Sequence, residues 1–118
     1  MNVSKSQQYY DRLNIRRNKV MMTLEHVQQE QRAIDESRDW IDRAAYESRV
    51  HLLDNLVNWY INEKARIEEA LSRIRQGKYG VCIACHEPIE AERLKLAPDA
   101  AFCAACHAAG EDLSRAVK

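Results

Sequence analysis

The residues of this chain with the most chemistry to offer are its four cysteines. Cys82-Ile-Ala-Cys85 and Cys103-Ala-Ala-Cys106 form two C-x-x-C pairs with 17 residues between them. Two residues between thiolates let both sulfurs of a tight knuckle reach one ion, and the intervening stretch brings the second knuckle back to complete a tetrahedron. The spacing falls in the zinc-ribbon range. Four thiolates leave no open coordination position, so the expected site is structural and closed: one Zn2+ held by Cys82, Cys85, Cys103 and Cys106. The cysteine-bearing end has few large apolar side chains to build a core from. Metal binding, worth about 10–16 kcal/mol in zinc-finger peptides, supplies what that core cannot. Other chemistries compete for the same residues. His86 and His107 each follow a pair, and C-x-x-C-H is the attachment pattern of c-type haem, with His26 and His51 as conceivable distal ligands. A thioredoxin-like dithiol would need a βαβ context that the sequence lacks. A zinc site whose thiols sense oxidants is a further alternative.

These knuckles need elements to carry them. All 3 Gly and both Pro lie at or after Gly77, and the first 76 residues contain neither. That shift divides the chain into a long helical part and a short, loop-rich part. In the first part, Leu13, Arg17, Val20, Leu24, Val27, Gln31 and Ile34 are spaced by alternating steps of four and three. Tyr46, Val50, Leu53, Val57, Tyr60, Lys64, Ile67, Leu71 and Ile74 repeat the pattern. Such a seam buries itself against another helix. Leu52, Leu56 and Trp59 are expected to widen the second seam. The two registers are offset by two residues, which fits neither a stutter nor a stammer. A break between about Ser37 and Tyr46 explains the offset, and Asp39 and Asp42 suit a helix start there. An antiparallel helical hairpin follows, with an intermolecular coiled coil as the competing arrangement. Arg73, Arg75 and Lys78 complement the C-terminal end of the second arm, and Gly77 fits the C′ position.

Composition narrows the field. The chain has 118 residues, with 18 Lys+Arg balancing 18 Asp+Glu. No positive excess provides the footprint of a duplex-DNA binder, so sequence-specific DNA is not an expected partner. Hydrophobic residues at 46% are too many for a disordered chain, and three glycines and two prolines are too few for a many-stranded sheet. No apolar run reaches the roughly 18 residues a membrane span needs. The start, Met1 to Gln8, has no apolar core of the signal-peptide kind, so the expected compartment is the cytoplasm. Charge is unevenly placed. Residues 35–47 hold Asp35, Glu36, Asp39, Asp42 and Glu47 against Arg38 and Arg43, a balance of −3, while residues 61–81 carry +2. No Ser/His/Asp arrangement, phosphate-cradling loop or open metal position stands out, so an enzyme is not expected.

The expected architecture is mainly α. An antiparallel two-helix coiled-coil hairpin occupies 1–76, with arms at about 5–37 and 41–76 and an acidic tip at 38–44. A four-cysteine zinc finger occupies 77–118 and ends in a short helix at about Asp112–Val117.

The stretch Arg75-Gln-Gly-Lys-Tyr-Gly-Val-Cys82-Ile-Ala-Cys85, followed by Ile89, Arg93-Leu94, Pro98 and Cys103-Ala-Ala-Cys106, resembles the zinc finger of the DksA/TraR family of bacterial transcription regulators. Asp39-Trp-Ile-Asp42-Arg43-Ala44 has the D-x-x-D-x-A form found at the coiled-coil tip in that family. The resemblance covers about the last two-thirds of the chain closely and the first arm by periodicity. It implies a monomeric regulator that binds RNA polymerase and inserts its hairpin into the secondary channel. Asp39 and Asp42 would then approach the polymerase active site, with Ala44 permitting close packing, and promoter-complex lifetime would change. It further implies a link to the stringent response and to guanosine tetraphosphate, for which Arg66 is a retained contact. Departures are visible too. His86 stands where a glycine is expected after the first knuckle, Ala97 and His107 replace basic alarmone contacts, and Trp59 replaces a basic residue facing the channel rim. Polymerase binding is therefore the firmer implication and alarmone response the weaker.

Overall fold

The computed structural model describes residues 3–109. Two long helices dominate: α1, Val3–Glu36, and α2, Arg43–Arg75. A short 3-10 turn, Arg38–Trp40, lies between them, and a six-residue helix α3, Ala91–Leu96, follows α2. Residues 104–109 are again helical, and the helix expected at about Asp112–Val117 lies outside the described residues. The fold is mainly helical, as expected. No described helix is long and apolar enough to cross a membrane.

Both long helices lack Gly and Pro, so nothing in their interiors interrupts the hydrogen-bond ladder. Their ends are specified locally. At the start of α2, the Asp42 carboxylate accepts from the Ala45 N–H at 3.1 Å, the bond of an N-cap. At its end, Lys78 N–H donates to Arg73 O at 2.8 Å and Gly77 N–H to Ile74 O at 3.1 Å, with Gly77 at φ +72°. That is a Schellman motif with glycine at C′, where the sequence places it.

The chain divides into two compact units. One spans residues 15–66, the middle stretches of α1 and α2. Within it the helices run antiparallel, as the ladder of pairs shows: Arg16 with Glu63, Glu30 with Arg49, Gln31 with Asp54, and Asp35 with Tyr46. Val20, Val27 and Leu53 are buried, while Leu24, Ile34, Val50, Val57 and Tyr60 are half-buried. The expected widening by Leu52 and Trp59 does not occur. Leu52 is 47% and Trp59 60% exposed, and only Leu56 tucks in partly. Each of the two lies about 100° around the helix from its seam neighbour, Leu53 or Tyr60. One opposing helix covers a stripe narrower than that.

The other unit joins residues 1–14 to 67–118, described here over 3–14 and 67–109. Its core is thicker. Tyr9 and Leu13 from α1, Ile67, Ala70 and Leu71 from α2, and Tyr79, Ile89 and Leu94 from the cysteine-bearing segment are all buried. Tyr79 is the hub. Its ring packs on Tyr9 with centroids 5.6 Å apart, and its hydroxyl donates to Pro98 O at 2.6 Å. Arg12 lies over the other aromatic ring, that of Tyr9, and donates to Lys95 O at 3.0 Å.

Candidate metal centre and hairpin tip

Two tight turns present the four sulfurs. In the first knuckle His86 N–H donates to Cys82 O at 2.9 Å, and in the second His107 N–H donates to Cys103 O at 2.8 Å. The first knuckle sits on a minimal ladder. Val81 bridges Pro88, Cys82 N–H donates to Glu87 O, and Ile89 N–H donates to Gly80 O. Ile83 N–H donates to Ala101 O at 3.0 Å, which ties the first knuckle to the strand of chain entering the second.

The result is a single cluster. Ligand atoms of Cys82, Cys85, Cys103 and Cys106 all lie within 4.8 Å of one another, and the Cys85 and Cys103 sulfurs are 3.7 Å apart. Sulfurs about 2.3 Å from one tetrahedral ion stand about 3.8 Å from each other, so the spacing fits one zinc. The thiol chemistry fits as well. Burial pushes the Cys82 thiol up, but hydrogen bonds from the backbone of Cys103, Cys85 and Ala84 prevail and bring it down to about 6. Cys85 accepts from the Glu87 backbone, which lowers it, yet burial and the neighbouring Cys82 and Cys103 thiols leave it raised. Cys106 is pushed up to about 12 by the thiols of Cys103, Cys82 and Cys85. Four sulfurs this close cannot all ionise without a cation among them. The donor set is that of one structural Zn2+, whose chemistry here is to fix the fold rather than to activate a substrate.

Three further residues hold the knuckles, and sequence reading gives none of them that task. The Glu90 carboxylate accepts from Ala104 N–H through both oxygens, at 2.8 and 3.1 Å, and so caps the helical turn that begins beside Cys103. Arg93 Nε donates to Phe102 O at 2.8 Å, which fixes the chain just before Cys103. Tyr79 anchors the loop at Pro98. Arg93 and Pro98 belong to the quoted pattern, but a pattern does not say what they bond. Fourteen positions separate Glu90 from its partner, and no local rule reaches that far. His86 sits at φ +64°, in the left-handed region that favours glycine, the residue the family resemblance implies there. His86 and His107 are exposed, and neither is part of the sulfur cluster.

In the other unit, the tip joins α1 to α2. Ser37 ends α1 by donating its hydroxyl to Ile34 O at 2.9 Å, and Trp40 N–H donates to Ser37 O at 2.9 Å. Asp39 and Asp42 are both exposed but have different employment. Asp42 spends one oxygen on the cap of α2. Asp39 makes no hydrogen bond or ion pair among the described residues. Ala44 is exposed in the first turn of α2, beside the Arg43–Glu47 ion pair. The hydrogen bond from the Tyr46 hydroxyl to Asp35 closes the tip and raises the phenol above its ordinary range. Arg66 is exposed on α2.

Comparisons with known proteins agree with this geometry. Residues 77–111 match the family described as the prokaryotic dksA/traR C4-type zinc finger. An uncharacterized protein of Aquifex aeolicus (strain VF5) is 40% identical over 86 residues, which is 70% of this chain and 59% of that protein. The chain thus spans about three-fifths of that relative's length. Among solved structures, transcription factor DksA2 from Pseudomonas aeruginosa superposes with a TM-score of 0.85 at 27% identity, covering 97% of this chain and 88% of that one.

Proposed function

The chain is a DksA-like zinc-finger protein, and from that premise we propose that it is a transcription regulator that binds RNA polymerase through the secondary channel and acts with the tip of its helical hairpin. The likeness to a transcription factor over nearly the whole chain supports a regulator-type role. The observation that carries the finer reading is the free carboxylate of Asp39, displayed next to Asp42 on a turn braced from both helices. Carboxylates presented this way interact with metal-bound or basic groups inside a partner. In this reading residues 1–76 supply the hairpin that reaches into the channel. Asp39 acts, Asp42 both acts and holds α2, and the small Ala44 side chain leaves room for close approach. Promoter-complex lifetime is the quantity that changes, in the cytoplasm, with the protein as a monomer and without catalysis of its own.

Arg66 is the residue we assign to an alarmone or polymerase contact, and a role in the stringent response with guanosine tetraphosphate belongs to the same proposal. Replacement of two basic positions by Ala97 and His107 makes alarmone dependence its weaker arm. The dihaem alternative needs two separated cysteine pairs, whereas all four sulfurs lie together.

The test compares wild type with Asp39→Asn and Asp42→Asn for polymerase affinity and for open-complex lifetime at a ribosomal promoter. The expected result is near-normal affinity with loss of the effect on lifetime, larger for Asp39→Asn per unit of folded protein. Full activity of both variants at equal affinity would refute the tip mechanism. Failure of wild type to bind polymerase would refute the whole reading.

A further inference from the structure

The tip carries a side chain that neither the fold nor the carboxylate mechanism uses. Trp40 is 86% exposed, although tryptophan has the largest apolar surface of any residue. Its neighbour Ile41 is half-buried and extended (φ −120°, ψ 157°), so the tip already has its inward apolar contact. The backbone beneath Trp40 is fixed by its own N–H bond to Ser37 O, by the Ser37 hydroxyl on Ile34 O, and by the Asp42 cap two residues later. A large aromatic group is therefore held out from a defined turn at a cost in exposed apolar area, with no intramolecular return.

Its surroundings specify what would cover it. Asp39 precedes it and Asp42 follows two residues later; Arg38 and Arg43 lie just outside them, Arg43 being paired with Glu47, and residues 35–47 as a whole have a balance of −3. A surface with an indole at its centre and an aspartate on either side of it in the turn complements a cleft lined by arginine or lysine. Such side chains meet the indole face with their cations and the carboxylates with their N–H groups. Aromatic anchors of this kind carry a disproportionate share of interface energy.

We propose that Trp40 is the binding anchor of the tip: its indole seats in a cation-lined apolar cleft of the protein partner and thereby sets how firmly Asp39 and Asp42 are held there. The inference rests on the polymerase reading above and deepens it. Anchoring and action are separate tasks on adjacent residues. Trp40 governs occupancy, and Asp39 governs what occupancy does.

The experiment is a polymerase titration of wild type, Trp40→Ala, Trp40→Phe and Asp39→Asn, read both as affinity and as open-complex lifetime at saturation. Trp40→Ala is expected to lose about tenfold or more in affinity yet recover the full effect on lifetime once saturated. Trp40→Phe retains most of the affinity, and Asp39→Asn shows the converse behaviour. In a Trp59→Phe chain labelled with fluorotryptophan, the single fluorine resonance should lose its solvent-isotope shift when polymerase is added. Thermal unfolding of Trp40→Ala should match wild type, because the side chain packs against nothing in the fold. If wild type binds polymerase and Trp40→Ala binds equally well, or if the fluorine stays in water, the anchor is disproved while the polymerase reading stands. If wild type does not bind, both fall.

Discussion

The two compact units bury their side chains very differently. Residues 15–66 contribute only Val20, Val27 and Leu53 to the buried apolar core, while the described residues of the cysteine-bearing unit contribute ten side chains from Tyr9 to Cys103, with Pro98 buried beside them. One unit is a seam, held by a line of half-buried side chains and by hydrogen-bonded pairs along its flanks. The other is a small core with a metal site built into it. The difference suits different work. A seam can present a tip without a bulky body around it, whereas a core stabilised by a metal resists deformation. It also predicts that the two units respond to separate insults.

The largest effect should follow metal removal. A strong chelator at neutral pH should abolish protection of amide hydrogens over residues 77–109, since structural zinc sites supply the folding energy of such segments. Residues 15–66 should keep their helical exchange pattern, and equal loss in both units would break the comparison. The thiols add a pH test. In the closed cluster Cys82 is lowered to about 6 while Cys85 and Cys106 are raised, and once the metal-free finger opens, free thiols with a pKa of about 8.5 keep their protons at neutral pH. Zinc uptake at pH 7 must therefore expel protons from the thiols, and affinity must fall as pH falls. Calorimetry in buffers of different ionisation enthalpy measures the number released.

Next come the seam substitutions. Leu53 is 1% exposed and Leu52 47%. Leu53→Ala should cost about 2–5 kcal/mol in urea unfolding. Leu52→Ala should stay within about 0.5 kcal/mol. Equal costs would mean that the apolar stripe is wider than one seam.

Helix ends give smaller values and sharpen the tip assignment. Asp42→Ala should cost about 1 kcal/mol through loss of the α2 cap, and Asp39→Ala close to nothing. Gly77→Ala should cost about 1–2 kcal/mol, wholly from its positive φ, because an added Cβ meets nothing within 4 Å. Circular dichroism against temperature distinguishes these from the seam variants.

The same contrast explains what the sequence could reveal. The hairpin was legible because its determinants are periodic or adjacent: the four-three spacing, the Asp42 cap, and Gly77 after the last helical turn. The metal ligands were legible because a C-x-x-C knuckle is a local geometric unit. Leu52 and Trp59 fall outside the seam because periodicity locates a seam but not its width, which the partner helix sets. Helix α3, the Glu90 cap on Ala104 and the Tyr79–Pro98 bond were not legible. Helix α3 is only six residues long, too short for a periodic signal, and the two bonds join residues 14 and 19 positions apart, beyond the reach of a local rule.

His86 supplies the finest test of the second unit. Its φ of +64° lies in the left-handed region, which costs a non-glycine residue about 1–2 kcal/mol. Histidine tolerates that region better than most side chains, so the low end applies. The residue is exposed, and no packing is lost when its ring is removed. Glycine relieves the strain but gives the unfolded chain more freedom, which takes back about 0.5–1 kcal/mol. His86→Gly should therefore stabilise the finger by only about 0.5 kcal/mol, and His86→Ala should be neutral or slightly worse than wild type. Both are measured as the zinc concentration at which half the protein is folded. If alanine weakens zinc retention severalfold while glycine fails to improve it, the imidazole rather than the backbone is what the site uses. The second unit would then owe its rigidity to five side chains at the knuckles instead of four.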